Sequence, residues 1–219
     1  MEKQTIKILD CTLIAIATGV KAQNLRELRD QLKFIHPGCL YHHFWGNLLH
    51  PHFDDPEFQN DFAVWASHDM HDLKIAEKLS IIDPSHFKDL EDLRKEVIEI
   101  IEERLSESEH VPWVRSGREF HFIRSQIVVF DTGVSYTDPQ DLIEKISKMS
   151  LGSIFYHFID ARRRTPDSKN DFSLWLAGFG DKYQALIEGL DNIDPYFTTL
   201  TELRQEINFV FNEYYKVAV

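Results

Sequence analysis

Asn60-Asp61-Phe62-Ala63-Val64-Trp65 returns as Asn170-Asp171-Phe172-Ser173-Leu174-Trp175, a shift of 175 − 65 = 110 positions. Upstream, Thr18-Gly19-Val20 returns as Thr132-Gly133-Val134 at a shift of 133 − 19 = 114. That shift also carries Leu28 onto Leu142, Gly38 onto Gly152 and His43-Phe44 onto His157-Phe158. Downstream, Ile82-Asp83-Pro84 matches Ile193-Asp194-Pro195, and Leu90, Leu93, Arg94 and Glu96 match Leu200, Leu203, Arg204 and Glu206. Ordered matches that include the rare residues Trp and His predict an internal duplication of one helical unit. The expected fold is mainly α, or α+β with a small central sheet, its two units related by pseudo-twofold symmetry. The expected boundaries are 1–108 for the first unit, 109–118 for a linker and 119–219 for the second.

Within each unit the periodicities are readable. Ile6–Ile16 and Phe120–Phe130 are apolar and β-prone, with Phe120-His121-Phe122 alternating, although the stretch around Ile14 is equally compatible with a helix. Leu25, Leu28, Leu32 and Ile35 recur at helical spacing, and Pro37-Gly38 is expected to end that helix. A second helix is expected from about Cys39 to Leu49, mirrored by Ser153–Arg164. Asn60 and Asn170, each followed by Asp, have the short side-chain oxygens that cap helix N-termini. The last helix carries the stripe Phe87, Leu90, Leu93, Val97, Ile101 and Leu105 in one unit, and Leu200, Leu203, Ile207, Val210 and Tyr214 in the other. Thr199 and Glu202 have capping-box spacing. Trp113, inside the polar stretch from Ser106 to Gly117, predicts a linker that packs.

Composition narrows the function. The 219 residues are 43% hydrophobic, enough for a core, and carry 36 Asp+Glu against 24 Lys+Arg, a net charge of −12. Such a surface repels phosphate backbones and anionic headgroups, so neither nucleic acid nor membrane is an expected partner. No apolar run approaches the ~20 residues of a membrane span, and the N-terminus lacks a signal-peptide pattern, so the expected location is cytoplasmic. The two cysteines, Cys11 and Cys39, fall opposite Ser125 and Ser153 in the repeat alignment and read as small core residues.

Three groups of residues could carry chemistry. The first unit is rich in histidine (His36, His42, His43, His50, His52, His68 and His71), with Asp54, Asp55, Asp61, Asp69 and Asp72 nearby. His43, His68 and Asp72 could hold a divalent metal between two helices. Against that, only His43 keeps its histidine in the second unit, as His157, and adjacent His42 and His43 diverge by about 100° on a helix. The repeat-matched set His43, His157, Asp61, Asp171, Trp65 and Trp175 reads as structural: each His bonded to its Asp, each Trp a core anchor. Arg162-Arg163-Arg164 is the one basic cluster, a candidate anion site for a sugar phosphate or nucleotide, or else a cap on a helix C-terminus. Dinucleotide, P-loop and nucleophile-elbow signatures are absent, so no catalytic residue and no cofactor is assigned.

Tyr41-His42-His43, Asn60–Trp65, Glu119-Phe120-His121-Phe122 and Asn170–Leu176 together resemble a bacterial family of unknown function. The resemblance implies a soluble, duplicated protein encoded near glycosyltransferases of trehalose or glycogen type. It brings no catalytic residue to transfer. The expected function is a non-enzymatic binding or accessory protein serving carbohydrate metabolism, with a small anionic ligand or a protein as partner. The alternative is a metal-binding protein or metal-dependent hydrolase using the first-unit histidines. Oligomeric state is not readable.

Overall fold

A computed structural model describes residues 4–49, 57–107, 109–165 and 167–217. It is about 58% helical, with one small two-stranded antiparallel sheet. The strands are β1 (Ile6–Ala22) and β2 (Phe120–Tyr136), so the open question at 6–16 resolves as strand. Both strands run past the expected segments and take in the Thr-Gly-Val triplets. Gly19 and Gly133 adopt φ values of +77° and +72°, which only glycine reaches cheaply, and so bend the chain without ending it. Each preceding threonine turns its hydroxyl to the other strand: Thr18 Oγ1 donates to the Phe122 carbonyl and Thr132 Oγ1 to that of Ile8.

The chain forms two compact units, residues 13–126 and residues 1–12 with 127–219. This boundary differs from the one placed near 109–118. Each long strand contributes one half to each unit, so a cut between consecutive halves of the sequence does not follow the packing.

In the 13–126 unit, α1 (Leu25–Leu32) buries Leu25, Leu28 and Leu32, and α2 (Pro37–Trp45) follows after a turn. Pro37 therefore starts a helix instead of stopping one. Proline is tolerated in the first turn because its missing N–H has no intrahelical acceptor there, and His36 Nδ1 caps the Gly38 amide. Asn60 caps α3 (Asp61–His68) through the Ala63 amide, and Asp72 caps α4 (Leu73–Ser80). Along α5 (Leu90–Ser106), Leu93, Val97 and Ile101 are fully buried. Arg94 of α5 is buried as well. Its guanidinium pairs with Glu91 and donates to the carbonyls of Leu32 and Ile35, completing the C-terminal end of α1. Trp113, expected to pack, is 73% exposed, with the Arg26 guanidinium 5.9 Å from its ring.

In the other unit, α6 (Pro139–Ile146) buries Leu142 and Ile146. The next helix is continuous over 151–164 but changes pitch: α7 (Leu151–Ile154), a π-helical segment Phe155–Asp160, and α8 (Ala161–Arg164). Gly152 lies where this helix meets β1, and a Cβ there would sit 2.4 Å from the Cys11 carbonyl oxygen. Asn170 caps α9 (Asp171–Ala177), and α10 (Gln184–Asp191) and α11 (Leu200–Val217) complete the unit. Thr199 and Glu202 make the reciprocal capping box of α11. On α11 Leu203, Ile207 and Phe211 are fully buried, whereas Val210 and Tyr214 are half-buried. Arg204 donates to the Met149 carbonyl.

Candidate functional site

Because Asn60 and Asn170 take the capping role, the carboxylates that follow them are free to reach back. Asp61 Oδ2 lies 2.7 Å from His43 Nδ1, and Asp171 Oδ2 lies 2.7 Å from His157 Nδ1. Both imidazoles are almost wholly buried. Their other nitrogens are occupied too. The backbone N–H of Ile123 in β2 donates to His43 Nε2 at 3.2 Å, and that of Leu9 in β1 donates to His157 Nε2 at 2.9 Å. An amide can only donate, so each Nε2 carries the lone pair and each Nδ1 carries the proton, which it gives to the aspartate. Each histidine thus clips a helix to a strand inside its own unit.

The proposed trio of His43, His68 and Asp72 is not brought together. His68 is exposed and faces Glu57 at 3.3 Å. Asp72 is held by Arg104 Nε at 2.8 Å while it caps α4. Among the described residues, the ligating atoms that do approach within 4.8 Å are those of His42, His43 and Asp61. His42 Nδ1 is 2.8 Å from the Ser125 hydroxyl, and Asp61 Oδ1 accepts from Asn47 Nδ2 at 2.7 Å. His50, His52, Asp54 and Asp55 lie outside the described residues.

The three arginines part company. Arg162 lies against the Phe158 ring and donates to the Ile193 carbonyl. Arg163 and Arg164 converge on one anion, and it is the chain's own: Asp160, 1% exposed, accepts from Arg163 Nη2 and Arg164 Nε at 2.9 Å each. Arg164 goes further, stacking 4.0 Å from the centroid of the Tyr156 ring and donating through Nη2 to Asp171 Oδ2 at 3.0 Å and to the Tyr156 carbonyl at 2.9 Å. Burial opposes its charge, but the hydrogen bond and charge of Asp171 outweigh that and hold the guanidinium above its ordinary value. Tyr156, Asp160 and Arg164 stand at four-residue spacing, the sequence pattern of one helix face, a signal separate from the charge run of 162–164.

Arg164 and Asp171 line a cleft of about 370 Å³ in the 1–12/127–219 unit, together with Lys7, Leu9, Tyr156 and Leu174. Trp175 forms part of its wall, 7% exposed, its indole N–H donating to the Gln4 carbonyl at 3.3 Å. Trp65 is buried in the other unit, edge-on to Phe120 and bonded to the Arg118 carbonyl at 2.8 Å.

Residues 3–212 match a family of unknown function, DUF5752. The chain belongs to this family. It is also similar to a solved structure described as OrfY from Thermoproteus tenax, at 25% identity, 96% coverage of this chain, 95% coverage of that one and a TM-score of 0.83. The chain shares its fold with that structure, and the match adds no activity. No curated protein matches the chain. Among the described residues, no helix is long and apolar enough to cross a membrane.

Both cysteines are buried. Burial, followed by the nearby charges of Asp160 and Asp10, pushes the Cys11 thiol up to about 12, and its Sγ–H faces the Gly152 carbonyl at 3.3 Å. Burial likewise raises Cys39. The thiolate is the reactive form, so iodoacetamide at pH 8 should leave both untouched in the folded protein. Mass spectrometry should show two adducts only after denaturant is added. Rapid alkylation of Cys11 in the native protein would contradict this burial.

Proposed function

We propose that the chain is a non-enzymatic binding or accessory protein built from a duplicated helical unit, serving the carbohydrate metabolism that its family resemblance implies. One observation carries this reading: His43 and His157, the residues most suggestive of chemistry, have both ring nitrogens committed. A general base needs a lone pair within reach of a substrate proton, and a metal ligand needs one directed at the ion. Here both lone pairs are spent on strand amides. Were His43 Nδ1 to take a metal, the proton would move to Nε2 and point at the Ile123 N–H, donor against donor.

The matched His–Asp–amide arrangements, the matched asparagine caps and the matched arginines at the ends of α1 and α6 support duplication, with the clip as the repeated scaffold of each unit. The cleft beside His157 then supplies the binding function. Emission spectrometry on protein purified without a histidine tag should find no stoichiometric zinc, manganese or iron. One equivalent of metal per chain, lost in His43→Ala, would install the metal reading around His42, His43 and Asp61 instead.

A further inference from the structure

The two clips differ in what surrounds the aspartate. In the 13–126 unit both oxygens of Asp61 are taken, one by His43 and the other by Asn47. In the 1–12/127–219 unit, His157 and Arg164 share one oxygen of Asp171. Its Oδ1 has no hydrogen-bond donor among the described residues. Arg164 spends Nε and Nη2 on protein acceptors, while its Nη1 has none among the described residues. Lys7, at the same cleft, is exposed and forms no ion pair among the described residues.

The lining therefore presents unused donors on two cations and an unused acceptor on one carboxylate. Asp160, behind Arg164, is shared with Arg163, so its charge is already matched. The cleft is locally positive in a chain of net charge −12, a reversal that draws in an anion. A bare anion would leave Asp171 Oδ1 without a partner; a ligand that also carries hydroxyls satisfies it. Leu9, half-exposed Leu174 and the Tyr156 ring offer the apolar surface that the C–H face of a sugar ring covers. A volume of about 370 Å³ lies at the small end of the ~300–1,000 Å³ of ligand sites, with room for one phosphorylated ring.

We propose that this cleft binds a monosaccharide phosphate. The phosphate sits against Lys7 and the Nη1 edge of Arg164, and ring hydroxyls donate to Asp171 Oδ1. This deepens the binding reading above and rests on it. The Asp61 clip, with both oxygens filled, forms no second site, so the stoichiometry is one ligand per chain.

Calorimetric titration and thermal scanning of the whole chain with glucose 6-phosphate, glucose and inorganic phosphate test the assignment. Glucose 6-phosphate should bind one equivalent and raise the melting midpoint by linkage, with glucose and phosphate each at least about tenfold weaker. Arg164→Gln removes the bridge between Asp160 and Asp171 and risks unfolding, so the informative variants are at exposed positions. Lys7→Gln and Leu174→Glu should keep the parent melting point and weaken glucose 6-phosphate by about tenfold or more.

Absence of binding at millimolar glucose 6-phosphate overturns the ligand assignment and leaves the histidine argument intact. Equal affinity for inorganic phosphate overturns the role of Asp171, and binding unchanged in both variants overturns the location. A bound sugar phosphate that is consumed, followed by phosphorus NMR overnight, supports the site and overturns the non-enzymatic reading.

Discussion

Trp65→Ala should lower stability by about 3–5 kcal/mol, the range for truncating a buried aromatic, and the melting midpoint by roughly 10 °C for a chain of this size. The indole is 4% exposed, packs edge-on against Phe120 at 5.7 Å and donates its N–H to the Arg118 carbonyl. Alanine leaves a cavity beside Phe120 and the Arg118 carbonyl without its donor. Trp65→Phe keeps much of the ring and loses the hydrogen bond, so it should cost less. Trp175→Ala should also cost less than Trp65→Ala, because Trp175 lies at the cleft wall with a longer 3.3 Å bond. Denaturant unfolding followed by circular dichroism ranks the three. A midpoint unmoved by Trp65→Ala would place that indole at a surface.

His43→Ala is expected to cost a similar ~3–5 kcal/mol, from a cavity and from a buried amide left unpaired. The ring lies 4.7 Å from Phe120 and 5.3 Å from Phe62, so its loss opens space inside an aromatic cluster. Its departure also strips the Ile123 N–H of its acceptor and Asp61 of a donor. The diagnostic readout is hydrogen exchange at single residues. In His43→Ala the Ile123 amide should exchange faster than its strand neighbours, and in His157→Ala the same should happen at Leu9. Asp61→Asn still offers an oxygen to Nδ1–H and should be milder than His43→Ala. If the Ile123 amide stays protected when His43 is gone, the clip is not what holds helix to strand.

Several local features were legible because they depend on a few neighbouring residues. Asn60 and Asn170 cap helices through bonds to the amides three residues on, and Thr199 with Glu202 closes a capping box within a single turn. Leu93, Val97 and Ile101 declare the buried face of α5 by spacing alone, whereas Phe87 precedes the helix and Leu90 and Leu105 are half-buried. The pairing of His43 with Asp61 and of His157 with Asp171 is expected from the sequence unless the carboxylates cap their helices, and the structure gives that capping role to Asn60 and Asn170. Where reading failed, two local outcomes were close in energy. Pro37 fits a helix stop and a helix start equally well, and only the cap supplied by His36 selects the start. The polar stretch around Trp113 held no signal that distinguishes a packed indole from one covered by a single guanidinium.

By itself the sequence determined the Asn60 and Asn170 caps, the capping box of Thr199 and Glu202, the His–Asp pairs and a net charge of −12. Tertiary structure alone decided three things. Strand amides from 80 and 148 residues away fill the Nε2 lone pairs of His43 and His157 and tie each helix to its strand. Arg163 and Arg164 both pair with the buried Asp160, an acceptor of their own chain. The boundaries of the compact units, at 12/13 and 126/127, fall inside β1 and β2. In each case the deciding partner is distant in sequence or fixed by the pitch of a helix, and local spacing does not encode which donors and acceptors long-range packing has already consumed.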